Sequence, residues 1–107
     1  MITYYHNPQC SKSRHGLSLL ESSGIPFNVC EYLKTPPSRD EISQLVLGYL
    51  DDPRDLVREP LSATSDVVDF LFSSPALMQR PLLFFNQKTI LGRPVDTISK
   101  FISEYRS

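Results

Sequence analysis

The loop from His6 to Arg14 carries the clearest chemical signal of the chain, a cysteine placed just before a helix. Cys10 follows a short strand-like run, Ile2–Tyr5, and precedes a helix-like run that begins near Ser11. The unpaired N–H groups and the positive dipole end of a helix N-terminus favour a thiolate over a thiol, and they also bind oxyanions. We therefore predict that Cys10 is a nucleophile and that an anion site coincides with it.

The elements around this loop predict a βαβ unit. Ile2–Tyr5 forms the first strand, a helix covers about Ser11–Ser23 and ends at Gly24, and Phe27–Tyr32 alternates as a second strand. Because a helix separates the two strands, we expect them to be parallel.

The rest of the chain predicts helices, a hairpin and a last helix. A capping box, Ser38–Glu41, opens one helix, and a further helix covers about Thr64–Ser73. The apolar run Leu82–Phe85 is typical of a strand inside a sheet, and Thr89–Leu91 can pair with it antiparallel. Apolar residues then recur at helical spacing in the last helix: Val95, Ile98, Phe101 and Ile102.

Length and charge restrict the class of protein. The 107 residues fit one domain, 1–107, and Lys plus Arg (11) against Asp plus Glu (12) leave a net charge of −1. That balance lacks the basic excess of a nucleic-acid binder. The chain has two cysteines, no signal-peptide pattern and no apolar run of about 18 residues. We therefore expect a cytoplasmic protein without a membrane partner. We expect a monomer.

Spacing disfavours three other kinds of site. A phosphatase-like Cys-x5-Arg loop would need arginine at position 16, where Gly16 stands. A CxxC motif would need cysteine at position 13, where Ser13 stands, so a second thiol must come from outside the chain. We expect no metal site, because the candidate ligands lack paired spacing: His6, Cys10, His15 and Cys30. Cys30 is expected to be a buried apolar filler of the second strand.

Four segments together resemble the glutaredoxin-coupled arsenate reductase family, from end to end of the chain: His6–Arg14, Tyr32–Pro37, Arg80–Pro81 and Gly92–Pro94. The resemblance implies an α/β, thioredoxin-like fold in which helices flank a mixed four-stranded sheet, with a helical insertion between strands 2 and 3. It also implies reduction of arsenate to arsenite. Cys10 would attack arsenic, glutathione would attack next as co-substrate, and glutaredoxin would resolve the mixed disulfide. No bound cofactor is implied.

The resemblance also implies roles for particular residues. Guanidinium groups would hold the oxyanion and depress the thiol pKa, and the matching arginines are Arg58, Arg80 and Arg93. His6 is expected to keep the thiol ionised through its charge or a hydrogen bond, and Ser13 to hydrogen-bond the thiolate. A cis proline faces the thiol in such folds, so we predict a cis Arg80–Pro81 bond. The segment between Arg58 and Arg80 is shorter than in typical members.

Two alternative functions stay open at this point. A glutathione-dependent thiol reductase of the same superfamily would need the cysteine and a glutathione pocket, but not three arginines. A non-enzymatic regulatory adapter that binds RNA polymerase usually switches through a CxxC motif, which Ser13 excludes. An interaction role that does not depend on redox state would survive that objection.

Overall fold

The computed structural model describes residues 1–62 and 64–106. The strands are β1 (Ile2–His6), β2 (Phe27–Glu31), β3 (Leu82–Phe85) and β4 (Lys88–Leu91). The α-helices are α1 (Ser11–Ser23), α2 (Arg39–Gly48), α3 (Val67–Ser73) and α4 (Asp96–Tyr105). Short 3₁₀ turns at Pro53–Leu56 and Pro75–Leu77 flank α3. Within the described ranges no helix has both the length and the apolar character needed to span a membrane.

The strands form a mixed sheet in the order β2-β1-β3-β4. β1 and β2 are parallel, with Ile2 opposite Phe27 and His6 opposite Glu31, and β3 runs antiparallel to both β1 and β4. The predicted α/β architecture, with its parallel pair, its hairpin and helices between strands 2 and 3, is confirmed. Because β1 and β2 are parallel, their carboxyl ends share one edge of the sheet, and the Cys10 loop begins there.

Apolar side chains cover both faces of this sheet. One cluster includes Tyr5 and Leu82 and packs against α2 and α3, whereas the other includes Tyr4 and Leu83 and packs against α1 and α4. Successive strand residues point to opposite faces, so each of these neighbouring pairs is divided between the two clusters. Helices therefore cover the sheet on both sides and fix where its loops begin.

The first two strands differ from their predicted bounds by one residue each. β1 continues to His6, which pairs with Glu31. β2 ends at Glu31 and not at Tyr32, because the Glu31 carbonyl accepts the N–H groups of both Lys34 and Thr35 at 2.9 Å and so turns the chain. Tyr32 consequently lies beyond the strand, at the edge where the Cys10 loop begins.

Side-chain caps fix the starts of the two middle helices. The predicted capping box of α2 is present: Ser38 Oγ accepts the Glu41 N–H at 3.1 Å, and the Glu41 carboxylate accepts the Ser38 N–H at 2.9 Å. α3 begins at Val67, later than predicted, because the Asp66 side chain accepts the Asp69 N–H and caps the helix there. Position 63, just before the predicted start, lies outside the described residues.

α1 approaches the sheet closely at Gly16. A Cβ at this position would lie 2.5 Å from the Tyr4 hydroxyl and 2.5 Å from Ile98 Cδ1, and both of those side chains are fully buried. The Tyr4 hydroxyl also donates a hydrogen bond to the Ser13 carbonyl at 2.6 Å, which holds the helix at this distance. Gly16 thus sets the height of α1, and of Cys10 at its start, above the sheet.

Gly16→Ala is expected to destabilise the protein by about 1–3 kcal/mol, because the added methyl group must displace buried Tyr4 or Ile98. Urea unfolding would show the loss as a lower midpoint at an unchanged m-value. Ser18→Ala changes an exposed position of the same helix and should unfold at or above the wild-type midpoint. A Gly16→Ala protein as stable as the wild type would contradict the close approach.

Candidate active site

Cys10 is the N-cap residue of α1, and a tight turn after β1 brings it there. The Asn7 carbonyl accepts the Cys10 N–H at 3.0 Å, and Asn7 Oδ1 accepts the Gln9 N–H at 2.9 Å. The Cys10 carbonyl then accepts the Arg14 N–H, which is the first helical hydrogen bond. The thiol therefore lies where the free N–H groups of the first helical turn emerge.

The environment of Cys10 favours its thiolate. Partial burial raises the thiol pKa, but hydrogen bonds from the Arg80 guanidinium and from the backbone N–H groups of Ser13 and Lys12, together with the Arg80 charge, outweigh burial. The balance lowers the pKa of Cys10 to about 7. A substantial fraction of the sulfur is thus ionised at neutral pH, as a nucleophile requires.

Ser13 is fully buried and connects α1 to β1. Its Oγ accepts the Asn7 N–H at 3.0 Å and lies 2.7 Å from His6 Nδ1, while its carbonyl accepts the Tyr4 hydroxyl. The sequence led us to expect a bond from the Ser13 side chain to the thiolate. The structure instead uses the Ser13 backbone N–H for the sulfur and engages its hydroxyl with β1 and the loop that follows it.

His6 is buried beside Ser13, and burial lowers the pKa of its imidazole below the usual value. A neutral ring is therefore the main form at neutral pH, so a positive charge on His6 contributes little to the thiolate. Its hydrogen bond to Ser13 Oγ instead holds the residue whose N–H reaches Cys10. Of the two roles expected for His6, charge or hydrogen bonding, the geometry favours hydrogen bonding. His6 bonds to Ser13 and not to the sulfur itself.

Arg80 presents donors that the protein leaves unused. Its Nε and Nη1 are buried, and neither has a hydrogen-bond partner within residues 1–62 and 64–106. The Arg80–Pro81 peptide bond is cis, the isomer that the sequence analysis assigned to it. Beside the Cys10 sulfur there are thus N–H groups that could donate to an anion.

Arg93 is held against the same segment. Its Nε donates to the Arg80 carbonyl at 2.8 Å, and the Gly92 N–H donates to the Pro81 carbonyl at 2.9 Å. The Arg93–Pro94 bond is also cis, which the sequence analysis did not predict. The β3–β4 hairpin therefore returns the chain so that Arg93 lies next to Arg80.

Arg58 reaches this region less directly. Its N–H donates to the Leu77 carbonyl at 2.8 Å, which ties it to the segment leading to Arg80. Its side chain is exposed and lines, with Arg93, a groove of about 540 Å³ that neither Cys10 nor Arg80 lines. The structure thus brings Arg80 to the sulfur and Arg93 to Arg80, and leaves Arg58 at the rim.

Tyr32 is a member of the site to which the sequence analysis gave no role, although it ends the second predicted strand and begins one of the segments that carry the resemblance. It is fully buried, and burial raises the pKa of its phenol. The charge of Arg80, the Asn7 side chain and the charge of Arg58 lower this pKa, whereas the charge of Cys10 raises it. These effects place the phenol close to the two arginines, Asn7 and the Cys10 sulfur. The available signal was its position after a parallel strand, at the edge where the Cys10 loop lies.

Cys30 differs from Cys10 in its surroundings and in the direction in which they shift the pKa of its thiol. It is half-buried and packs against the cluster of α2 and α3, and its Sγ lies 3.6 Å from the Thr35 carbonyl. Burial raises the pKa of this thiol, and the Glu41 charge raises it further. Both cysteines are free. No group of three or more His, Cys, Asp or Glu side chains that could hold a metal ion occurs among the described residues.

Comparison with known proteins adds independent findings. A sequence model of the ArsC family matches residues 5–101. An arsenate reductase from Escherichia coli is 37% identical over 109 residues, covering 91% of this chain and 77% of that enzyme. An arsenate reductase from Neisseria meningitidis serogroup A is 36% identical over 110 residues, covering 91% and 94%. The solved structure of an arsenate reductase from Vibrio cholerae superposes with a TM-score of 0.78 at 34% identity, covering 92% and 95%.

The alkylation rate of Cys10 by iodoacetamide is expected to rise with pH through about 7 and then level off, because the thiolate is the reacting form. Arg80→Gln should move this inflection upward, since it removes both a charge and a hydrogen bond from the sulfur. Mass spectrometry of the Cys10 peptide separates its reaction from that of Cys30. Arg54→Gln, which removes an exposed arginine paired with Asp52, should leave the inflection in place. An unchanged inflection in Arg80→Gln would contradict the geometry.

Ser13→Ala is expected to cost about 1–3 kcal/mol of unfolding free energy, because it leaves the buried Asn7 N–H and His6 Nδ1 without their partner. Urea unfolding is again the measurement, and Ser18→Ala is the matched exposed control on α1. Equal midpoints for the two serine variants would show that this network does not hold the helix.

Proposed function

The chain belongs to the ArsC family, and on that premise we propose that it reduces arsenate to arsenite with Cys10 as its single nucleophile and with glutathione and glutaredoxin as the source of electrons. The similar proteins from Escherichia coli and Neisseria meningitidis, and the similar solved structure from Vibrio cholerae, are each named arsenate reductase. The monothiol route and the two thiol donors are our proposal.

One observation carries this proposal: a sulfur whose pKa is lowered to about 7 lies beside buried guanidinium N–H groups that have no acceptor in the described chain. Arsenate is a tetrahedral oxyanion, and charged donors of this kind hold its oxygens with good geometry. The helix N-terminus adds backbone N–H groups of the same polarity. Nucleophile and anion-binding groups therefore meet at one place.

The first step is attack of the Cys10 thiolate on arsenic. A sulfur–arsenic bond forms, and one oxygen leaves as hydroxide, which takes a proton from solvent. Arg80 stabilises the charge on the arsenate oxygens while the bond forms, and Arg93 keeps the Arg80 segment in position. In this proposal Arg58 acts from the rim, where it attracts the anion.

The second step transfers two electrons. A glutathione thiolate attacks the Cys10 sulfur, a disulfide bond forms, and the electron pair of the sulfur–arsenic bond stays on arsenic, which leaves as arsenite. A glutaredoxin thiolate then attacks the glutathione sulfur of the mixed disulfide and releases Cys10 as thiolate. The electrons come from the two external thiols, so the proposal needs no bound cofactor.

The external thiols are proposed because the chain offers no suitable second one nearby. Serine occupies the position of the second cysteine in a CxxC motif, and Cys30 is half-buried with a raised pKa. We further propose that the enzyme works as a monomer in the cytoplasm, with the oxyanion and the two thiol donors as its partners.

In an assay that couples glutathione, glutaredoxin and glutathione reductase, the wild-type chain should oxidise NADPH when arsenate is added. Cys10→Ser should abolish this turnover, because a hydroxyl at this site is neither ionised nor nucleophilic enough. Cys30→Ser serves as the matched control and should retain most of the activity. Well-folded wild-type protein that forms no arsenite, measured directly, would refute the proposed function.

A further inference from the structure

The buried side-chain nitrogen and oxygen atoms that lack a hydrogen-bond partner are concentrated at one place. In the described part of the chain there are three of them: Tyr32 Oη, Arg80 Nε and Arg80 Nη1. The buried polar side chains elsewhere are bonded; Thr89 Oγ1, for example, donates to the Leu45 carbonyl at 2.7 Å. Buried polar groups normally find partners, so a group of three that do not requires an explanation.

The three atoms share a chemical character. A guanidinium N–H can only donate, and a phenol that keeps its proton donates as well. Burial raises the pKa of Tyr32, so the phenol stays protonated at neutral pH. The cluster is therefore complementary to an acceptor, and an anion with several oxygens accepts from several donors at once.

The topology explains how Tyr32 comes to this place. It directly follows β2, and the Cys10 loop directly follows the neighbouring parallel strand β1. Carboxyl ends of parallel strands form the edge at which ligands bind in α/β proteins. Tyr32 and Cys10 approach the site from two adjacent strands, and Arg80 approaches from the residues just before β3.

We propose that the Tyr32 hydroxyl donates a hydrogen bond to the oxyanion held between Cys10 and Arg80, and so is a catalytic residue that orients the tetrahedral substrate. This inference rests on the proposed function, because it assigns a third donor to the same substrate. An uncharged donor fixes the direction of one oxygen without adding a positive charge beside the thiolate. Specificity of this kind comes from a buried group that only the correct ligand satisfies.

A purely structural role for the hydroxyl accounts poorly for the geometry. A buried hydroxyl without a partner destabilises a fold, and phenylalanine would fill the same apolar space without that cost. Tyr5 provides the comparison, since it lies in the same apolar cluster and its phenol is influenced by Glu41 and Cys30, not by the arginines.

The test compares Tyr32→Phe with the matched control Tyr5→Phe. Alkylation of Cys10 by iodoacetamide is measured at increasing arsenate concentration, without glutathione, and the arsenate concentration that halves the rate reports oxyanion binding. Losing one hydrogen bond to a charged ligand should raise this concentration by about 10- to 100-fold in Tyr32→Phe and leave it unchanged in Tyr5→Phe. The pH profile of alkylation without arsenate should stay the same.

Unfolding in urea gives a second readout. Tyr32→Phe should unfold at a midpoint close to that of the wild type, because the described chain offers the hydroxyl no hydrogen bond of good geometry and only the nearby Asn7 side chain acts on it. A lower midpoint together with unchanged arsenate protection would show a structural role and overturn the proposal. An alkylation profile displaced to higher pH would assign the hydroxyl to the sulfur and also overturn it.

The two proposals fail in different ways. Arsenate protection that weakens in Tyr32→Phe, in a wild-type protein that forms no arsenite, supports the oxyanion donor and refutes the reductase. Arsenite formation with equal protection in both tyrosine variants supports the reductase and refutes the donor. Wild-type protein that arsenate does not protect at all would overturn the assignment of Tyr32.

Discussion

The thiolate at Cys10 depends on donors that cannot move away from it. Partial burial alone would raise the pKa of the thiol, and the Arg80 guanidinium and the N–H groups of Ser13 and Lys12 must more than offset that effect. Donors that are free to rotate toward water would contribute much less, because their preorganisation is what makes them effective. The positions of α1 and of the residues before β3 are therefore chemical requirements as well as features of the fold.

The fold meets this requirement with short-range connections between α1 and β1. Tyr4, His6 and Asn7 lie on β1 or directly after it, and each forms a hydrogen bond with Ser13. Gly16 permits the close approach that these bonds need. The arginines are brought in by backbone pairing: the β3–β4 hairpin places Arg93 beside Arg80, and the pairing of residues 56–58 with 77–79 adds Arg58 at the rim.

The sequence predicts most of the features that depend on residues close together in the chain. The position of Cys10 before α1, the end of α1 at Gly24 and the Ser38 capping box follow from residue types at fixed spacing, and the structure has them all. What it could not predict depends on atoms distant in the chain. The Ser13 hydroxyl is engaged by β1 and not by the sulfur, the burial of His6 opposes its charge, and Tyr32 becomes part of the site only through the pairing of β1 with β2.

The positions of the buried polar atoms that lack hydrogen-bond partners show whether those atoms mark a binding site or imperfect packing. Poor packing would scatter unpaired atoms through the interior, whereas here His6, Asn7, Ser13 and Thr89 are buried and bonded. Among the described residues the unpaired donors belong to Arg80, which hydrogen-bonds the Cys10 sulfur, and to Tyr32, whose phenol responds to the charges of Arg80 and Cys10. Such donors cost stability in the free protein, and an anion that accepts from them returns that stability on binding. The proposed affinity for an oxyanion and the cost of burying these donors would then have the same origin, the unpaired atoms of Arg80 and Tyr32.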